Sequence, residues 1–129
     1  MTTWTNDELN RIGAAEELEI ASLRADGTLR SWRTIWVVRV GDDLFVRSVY
    51  GRGSAWFRGV LDRHEGRIRA GGVDKDVSFM DETDPQVNEQ IDAAYRAKYR
   101  HYAASIVGST VTPEAHGATL KLVPRATGS

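Results

Sequence analysis

Apolar residues recur along this chain with two periods, and the switches between them mark out its elements. Thr5 and Glu8 stand three apart at the head of such a run, the spacing of a capping box, with Trp4 and Leu9 set to staple the first turn. A short helix from about Asn6 to Ala14 is predicted, loosened near its end by Gly13. Leu18, Ile20 and Ser22 then alternate with Glu17, Glu19 and Ala21, which predicts a half-exposed strand running into an Asp26-Gly27 turn.

From Thr34 to Val49 two β-rich runs flank Gly41-Asp42-Asp43 and predict a hairpin. Pairing Val40 with Leu44, Val38 with Val46 and Trp36 with Ser48 gathers Thr34, Trp36, Val38, Val40, Leu44 and Val46 on one face. The opposite face mixes Ile35, Val37, Phe45 and Val49 with Arg39 and Arg47. Bulky apolar groups on both faces suit a sheet that curls into a barrel and also packs against helices.

After Gly51-Arg52-Gly53, Ser54 is placed to cap a helix reaching about Arg63, with Trp56, Phe57, Val60 and Leu61 to bury. Arg67 to Ala70 and Val73 to Phe79 form a second hairpin about Gly71-Gly72. Asp84-Pro85 opens a third helix, whose face carries Val87, Ile91, Ala94 and Tyr95 and whose end carries Tyr99 and Tyr102. Thr119 to Val123 is a last strand closed by Pro124, and residues 126–129 read as a flexible tail. The fold class is α+β, one domain over 1–125 built as a small, mainly antiparallel barrel of five to six strands with about three helices. A parallel sheet would need a crossover helix after nearly every strand.

Composition narrows this picture. The 129 residues are 41% hydrophobic and 27% charged, enough for one packed core in a chain of this length. Absence of cysteine removes disulfides, thiolate metal sites and a Cys nucleophile, and favours a reducing compartment. The first ten residues are polar and show no export signal, and Ile35 to Val38 is the longest apolar run, so the expectation is a cytoplasmic protein without membrane contact. A net charge of −1 lacks the broad positive field of a nucleic-acid binder.

Two kinds of chemistry remain open. The passage from Arg47-Ser48 through Gly51-Arg52-Gly53 to Ser54 offers an anion the free amides of a helix start, although the same residues also serve as a plain capped turn. Alternatively His101, His116, Tyr99, Tyr102 and Asp84 are acid–base groups for a cofactor-free binding protein, isomerase or cyclase, without a recognised motif spacing. His64 reads as a solvated turn residue. The three histidines lie too far apart in sequence for a helical metal pair.

Ile35-Trp36-Val37-Val38-Arg39-Val40-Gly41-Asp42-Asp43-Leu44-Phe45-Val46-Arg47-Ser48, with Gly51-Arg52-Gly53-Ser54-Ala55-Trp56-Phe57-Arg58, resembles a bacterial family, the domain of unknown function numbered 2255. The resemblance continues through Arg67-Ile68-Arg69-Ala70-Gly71-Gly72 and Ala93-Ala94-Tyr95-Arg96-Ala97-Lys98-Tyr99 to Leu122-Val123-Pro124. That family is similar to split β-barrel proteins that bind FMN or the deazaflavin F420, so the resemblance implies a split β-barrel and hydride transfer to or from a small molecule. Ala55-Trp56-Phe57 is similar to the Ala-Trp-Tyr of the deazaflavin group, and Arg33-Thr34 lies where that group has an Arg beneath the cofactor. The resemblance thus implies cofactor contacts from Arg33, Thr34, Trp36, Arg47, Ser48, Gly53, Ser54, Ala55 and Trp56, and a substrate wall from Tyr99, His101 and Tyr102. Two lysines of the relatives are replaced: Asp26-Gly27-Thr28-Leu29-Arg30-Ser31 stands for Gly-Arg-Lys-Ser-Gly, and Ser54-Ala55-Trp56 for Ser-Arg-Lys. A homodimer is compatible with either chemistry, since a twin subunit often covers an open barrel rim.

Overall fold

The structure, a computed structural model, describes residues 3–125; the tail at 126–129 lies outside them. The first helix, α1 (Asn6–Ala14), starts on the capping box: Glu8 N–H donates to Thr5 Oγ1 and Thr5 N–H to Glu8 Oε1. It is followed by β1 (Leu18–Ser22), β2 (Arg33–Ile35), β3 (Val38–Val40) and β4 (Asp43–Arg47). A single 3-10 turn, Gly51–Gly53, leads into α2 (Ala55–Arg63), β5 (Glu65–Ala70) and β6 (Val73–Asp81). The chain ends with α3 (Pro85–Lys98), α4 (Ala104–Gly108), α5 (Pro113–His116) and β7 (Thr119–Pro124).

All seven strands join one antiparallel sheet in the order β2-β1-β5-β6-β7-β4-β3. Its two edges, β2 and β3, are consecutive in the chain and separated only by Trp36 and Val37. The sheet therefore curls until its first and last strands almost meet, which makes the barrel and leaves it split at one seam. Tyr99 closes that seam: its hydroxyl accepts from Val37 N–H (3.2 Å) and donates to the Glu16 carbonyl (2.7 Å). The β5–β6 turn is Gly71-Gly72, both at positive φ, where a side chain at Gly71 would also run into the Arg11 carbonyl.

The seam corrects the first hairpin. Thr34 to Val49 is not one continuous pair, because Arg33–Ile35 pairs with β1 instead. The turn has two residues, Gly41 and Asp42, so Val38 lies opposite Phe45, Arg39 opposite Leu44 and Val40 opposite Asp43. That one-residue slip from the Val40–Leu44 pairing exchanges faces. Val37, Leu44 and Val46 point into the barrel with Leu18, Ile20 and Ile68, while Val38, Val40 and Phe45 pack against Ile91, Tyr95 and Tyr99 of the α3 side. Among the described residues the strands number seven rather than five to six. Helices α4 and α5, of five and four residues, were not anticipated, because neither is long enough to show a period.

Candidate functional site

Two neighbouring concavities open beside the seam and share Arg33 and Trp56. The larger, about 490 Å³, is an aromatic slot walled by Trp32, Trp36, Tyr50, Trp56 and Tyr95. The smaller, about 210 Å³, is basic: Arg24, Arg30 and Arg33 surround Ser22, Ser31 and the start of α2.

The slot is rigid on one side because Trp36 stacks on Tyr99, with ring centroids 3.8 Å apart and planes within 2°, and Tyr102 leans on Trp36 at 4.8 Å. Tyr99 is fully buried, and burial pushes its phenol, like that of Tyr95, well above the usual range. Both phenols therefore stay neutral, Tyr95 as a wall of the slot and Tyr99 as a hydrogen-bonding post behind Trp36.

Beneath the slot lies Arg47, whose side chain has no exposed area. Its Nε donates to Thr119 Oγ1, its Nη1 to Asp92 Oδ1 and the Thr110 carbonyl, and its Nη2 to the Asn88 carbonyl and Oδ1. All five guanidinium N–H groups are thus taken up inside the protein. Arg47 lines the slot but has no donor left for a phosphate, which corrects the contact drawn from the sequence.

In the basic pocket the balance is reversed. The Arg33 side chain makes no ion pair or hydrogen bond among the described residues, and the Arg24 side chain uses only Nη1, on Thr28 Oγ1 and the Leu29 carbonyl. Arg30 pairs through Nη2 with Asp62 (2.7 Å), while its Nε is buried without any partner. An orphaned buried donor is costly, and this one belongs to a residue that lines the pocket. Gly59 makes the room: a Cβ there would stand 2.8 Å from both Arg30 Cδ and Ser22 Oγ.

Ser54 occupies the cap position of α2 but gives the helix no side-chain cap; its Oγ is 2.8 Å from Ser48 Oγ instead. The first-turn amides at Ala55 and Trp56 are therefore not plugged by a side chain and border the basic pocket.

Of the residues singled out from the sequence, Arg33, Thr34, Trp36, Arg47 and Trp56 line the slot, and Arg33, Ala55 and Trp56 line the basic pocket. Ser48 is buried behind them, and Gly53 is exposed with open space around it. His101 and Tyr102 lie elsewhere, bonded to Glu16 Oε1 at 2.8 and 2.9 Å, and Tyr99 backs Trp36 rather than facing the slot. The His101 and Tyr102 hydrogen bonds hold the Glu16 carboxyl below its ordinary range. Asp84 caps α3 through Gln86 N–H and Val87 N–H. His116 Nε2 meets both oxygens of Asp92 at the edge of a separate pocket of about 450 Å³. His64 is a half-buried turn residue that ends α2 in a left-handed conformation and donates its N–H to the Val60 carbonyl.

Arg24, Arg30, Ser22 and Ser31, which line the basic pocket, were not singled out from the sequence as candidate site residues. The available signal was three arginines within the stretch 24–33, around a turn that folds them together. Among the described residues no cluster of three His, Asp or Glu side chains suits a metal, and no helix is long and apolar enough to cross a membrane.

The curled seven-stranded sheet with helices at its corners is a split β-barrel. Within that class, residues 8–122 match the profile of an uncharacterized protein family conserved in bacteria (DUF2255), and the chain belongs to it. No curated protein sequence matches the chain significantly. Among solved structures it is similar to a proposed pyridoxamine 5′-phosphate oxidase from Listeria innocua (TM-score 0.64, 14% identity, covering 94% of this chain and 93% of that one). It is also similar to an F420 reductase (TM-score 0.57, 14% identity, 92% and 93% covered) and to an FAD-binding protein from Mesorhizobium loti (TM-score 0.55, 13% identity, 96% and 92% covered). Identities this low establish the fold alone.

Proposed function

We propose that this protein binds a phosphorylated flavin or deazaflavin, FMN or F420, and acts as a cytoplasmic oxidoreductase on a small molecule. One observation carries the reading: an aromatic slot and a basic pocket with an orphaned arginine donor share a wall at Arg33 and Trp56. A three-ring heterocycle joined by a polyol chain to a phosphate has this pairing of chemistries. The solved relatives named above include an F420 reductase and an FAD-binding protein, which agrees with it.

When bound, the ring supplies hydride transfer. The chain supplies the rest. Arg24, Arg30 and Arg33 hold the phosphate through charge-assisted hydrogen bonds, and the α2 amides add the positive end of the helix dipole. Trp36, fixed by Tyr99, and Trp56 would line the ring's slot and exclude water from it. Arg47 and Asp92 keep the slot floor in place. A second copy covering exposed Tyr50 and Val49 at the slot rim would complete the enclosure as a homodimer.

Titration of the purified protein with FMN and with F420, followed by quenching of tryptophan fluorescence, tests the proposal. Saturable binding by either one supports it. No saturation up to tens of micromolar overturns it and leaves the cofactor-free reading, which the Asp92-oriented His116 at its own pocket favours as an acid–base site.

A further inference from the structure

At the C-terminal end of α3, away from both concavities, a third cleft of about 260 Å³ is lined by Ala14, Glu16, Lys98, Tyr99 and His101. Lys98 is the unusual group in it. Its half-buried side chain lies along Tyr99, with Nζ 5.1 Å from the ring centroid. Nζ donates to one neutral acceptor, the Val37 carbonyl at 2.6 Å. Among the described residues no carboxylate stands within ion-pair distance of it, whereas Lys75 pairs with Glu8 at 2.8 Å.

The nearest carboxylate, Glu16, is engaged by His101 Nε2 and the Tyr102 hydroxyl. His101 makes no other side-chain hydrogen bond among the described residues, and it lines the same cleft as Lys98. The charged and titratable groups around Lys98 are Glu16 from the segment after α1 and Tyr99, His101 and Tyr102 from the end of α3. Burial pulls the Lys98 ammonium from 10.5 down to about 8, with Glu16 acting in the opposite direction. An amine that donates only to a neutral carbonyl, has no carboxylate partner among the described residues and shares an open cleft with the His101–Glu16 pair is arranged as a nucleophile.

We propose that Lys98 is a covalent capture site for a small aldehyde, which condenses with its ε-amine to an imine while the His101–Glu16 pair moves the protons. The neutral amine forms the C–N bond at the carbonyl carbon as the carbonyl oxygen takes a proton from His101. The nitrogen then passes a proton back to the His101–Glu16 pair, which delivers it to the hydroxyl; the C–O bond breaks, water leaves, the nitrogen lone pair forms the C=N bond, and the iminium N–H proton returns to His101. Aldehyde and amine give imine and water, with no change of oxidation state. The site is independent of the flavin or deazaflavin reading.

The test treats the full-length protein with propanal and cyanoborohydride at pH 7, 8 and 9 and quantifies alkylation of each lysine by peptide mass spectrometry. The chain has three lysines, Lys75, Lys98 and Lys121, so the comparison is internal and needs no variant. Lys98 is expected to react about tenfold faster than the other two at pH 7, the extra neutral amine outweighing its lower basicity. His101→Gln should slow Lys98 several-fold and leave Lys75 and Lys121 unchanged. Lys98→Arg, which keeps a donor for Val37, should remove that product alone. Equal labelling of the three lysines at pH 7 overturns the proposal. So does a Lys98 advantage that His101→Gln leaves intact in a folded protein, which would remove His101 from the step.

Discussion

Arg47 Nη1 meets Asp92 Oδ1 at 2.5 Å, and this contact joins strand β4 to helix α3 beneath the aromatic slot. The arginine has no exposed side-chain area and Asp92 is 12% exposed, so the pair is a buried charge contact rather than a surface bridge. His116 also rests on the same carboxylate. The slot floor and the His116 pocket therefore share one aspartate.

Replacing Asp92 with Asn keeps the shape but leaves the Arg47 charge buried without its counter-ion. Loss of about 3–5 kcal/mol of folding stability is expected, the usual result of removing one member of a buried pair. Urea denaturation of wild type and D92N measures it.

Arg33→Glu should separate phosphate binding from ring binding. The side chain has no partner within the protein, so folding stability should change little, within about 0.5 kcal/mol. FMN affinity should fall at least about tenfold, as reversal of a charge-assisted contact implies, while riboflavin, which lacks the phosphate, should be much less affected. Paired fluorescence titrations read both outcomes.

Gly59→Ala tests the pocket from its floor. The added methyl meets Arg30 Cδ and Ser22 Oγ at 2.8 Å and would displace the arginine that carries the orphaned donor. Within a helix the exchange gains about 0.5–1 kcal/mol in propensity, which offsets part of the crowding. The expected result is a folded protein with weakened FMN binding, measured by thermal melts beside titration.

Lys98 gives stability a pH dependence. Its ammonium is disfavoured in the folded protein, so the unfolded chain binds the extra proton between about 8 and 10.5. Over that window the Lys98 contribution to stability rises with pH, and the burial penalty is fully present below it. The stability of wild type relative to Lys98→Met should therefore increase from pH 8 to pH 10, as followed by urea denaturation at each pH.

Local signals were strong where one turn of chain decides the structure. Thr5 with Glu8, Asp84-Pro85 and Gly71-Gly72 announced two helix starts and a hairpin, because a cap or a positive-φ turn is settled within a few residues. The candidate site was only half legible. Arg33, Trp36 and Trp56 stood out, yet Asp92 and Asn88 sit in polar gaps on the apolar face of α3, and the exposed or buried state of Arg47 has no local signature.

By itself the sequence determined the order of most elements, the antiparallel character and the apolar face of each helix, since these follow from periods and turns short enough to be local. Tertiary structure alone decided the one-residue register of β3 on β4, the seam at Trp36-Val37 and the gathering of Arg24, Arg30 and Arg33 against α2. Each of these depends on which distant surface a segment packs against. That choice is made by the burial of whole faces, and no single stretch of chain contains it.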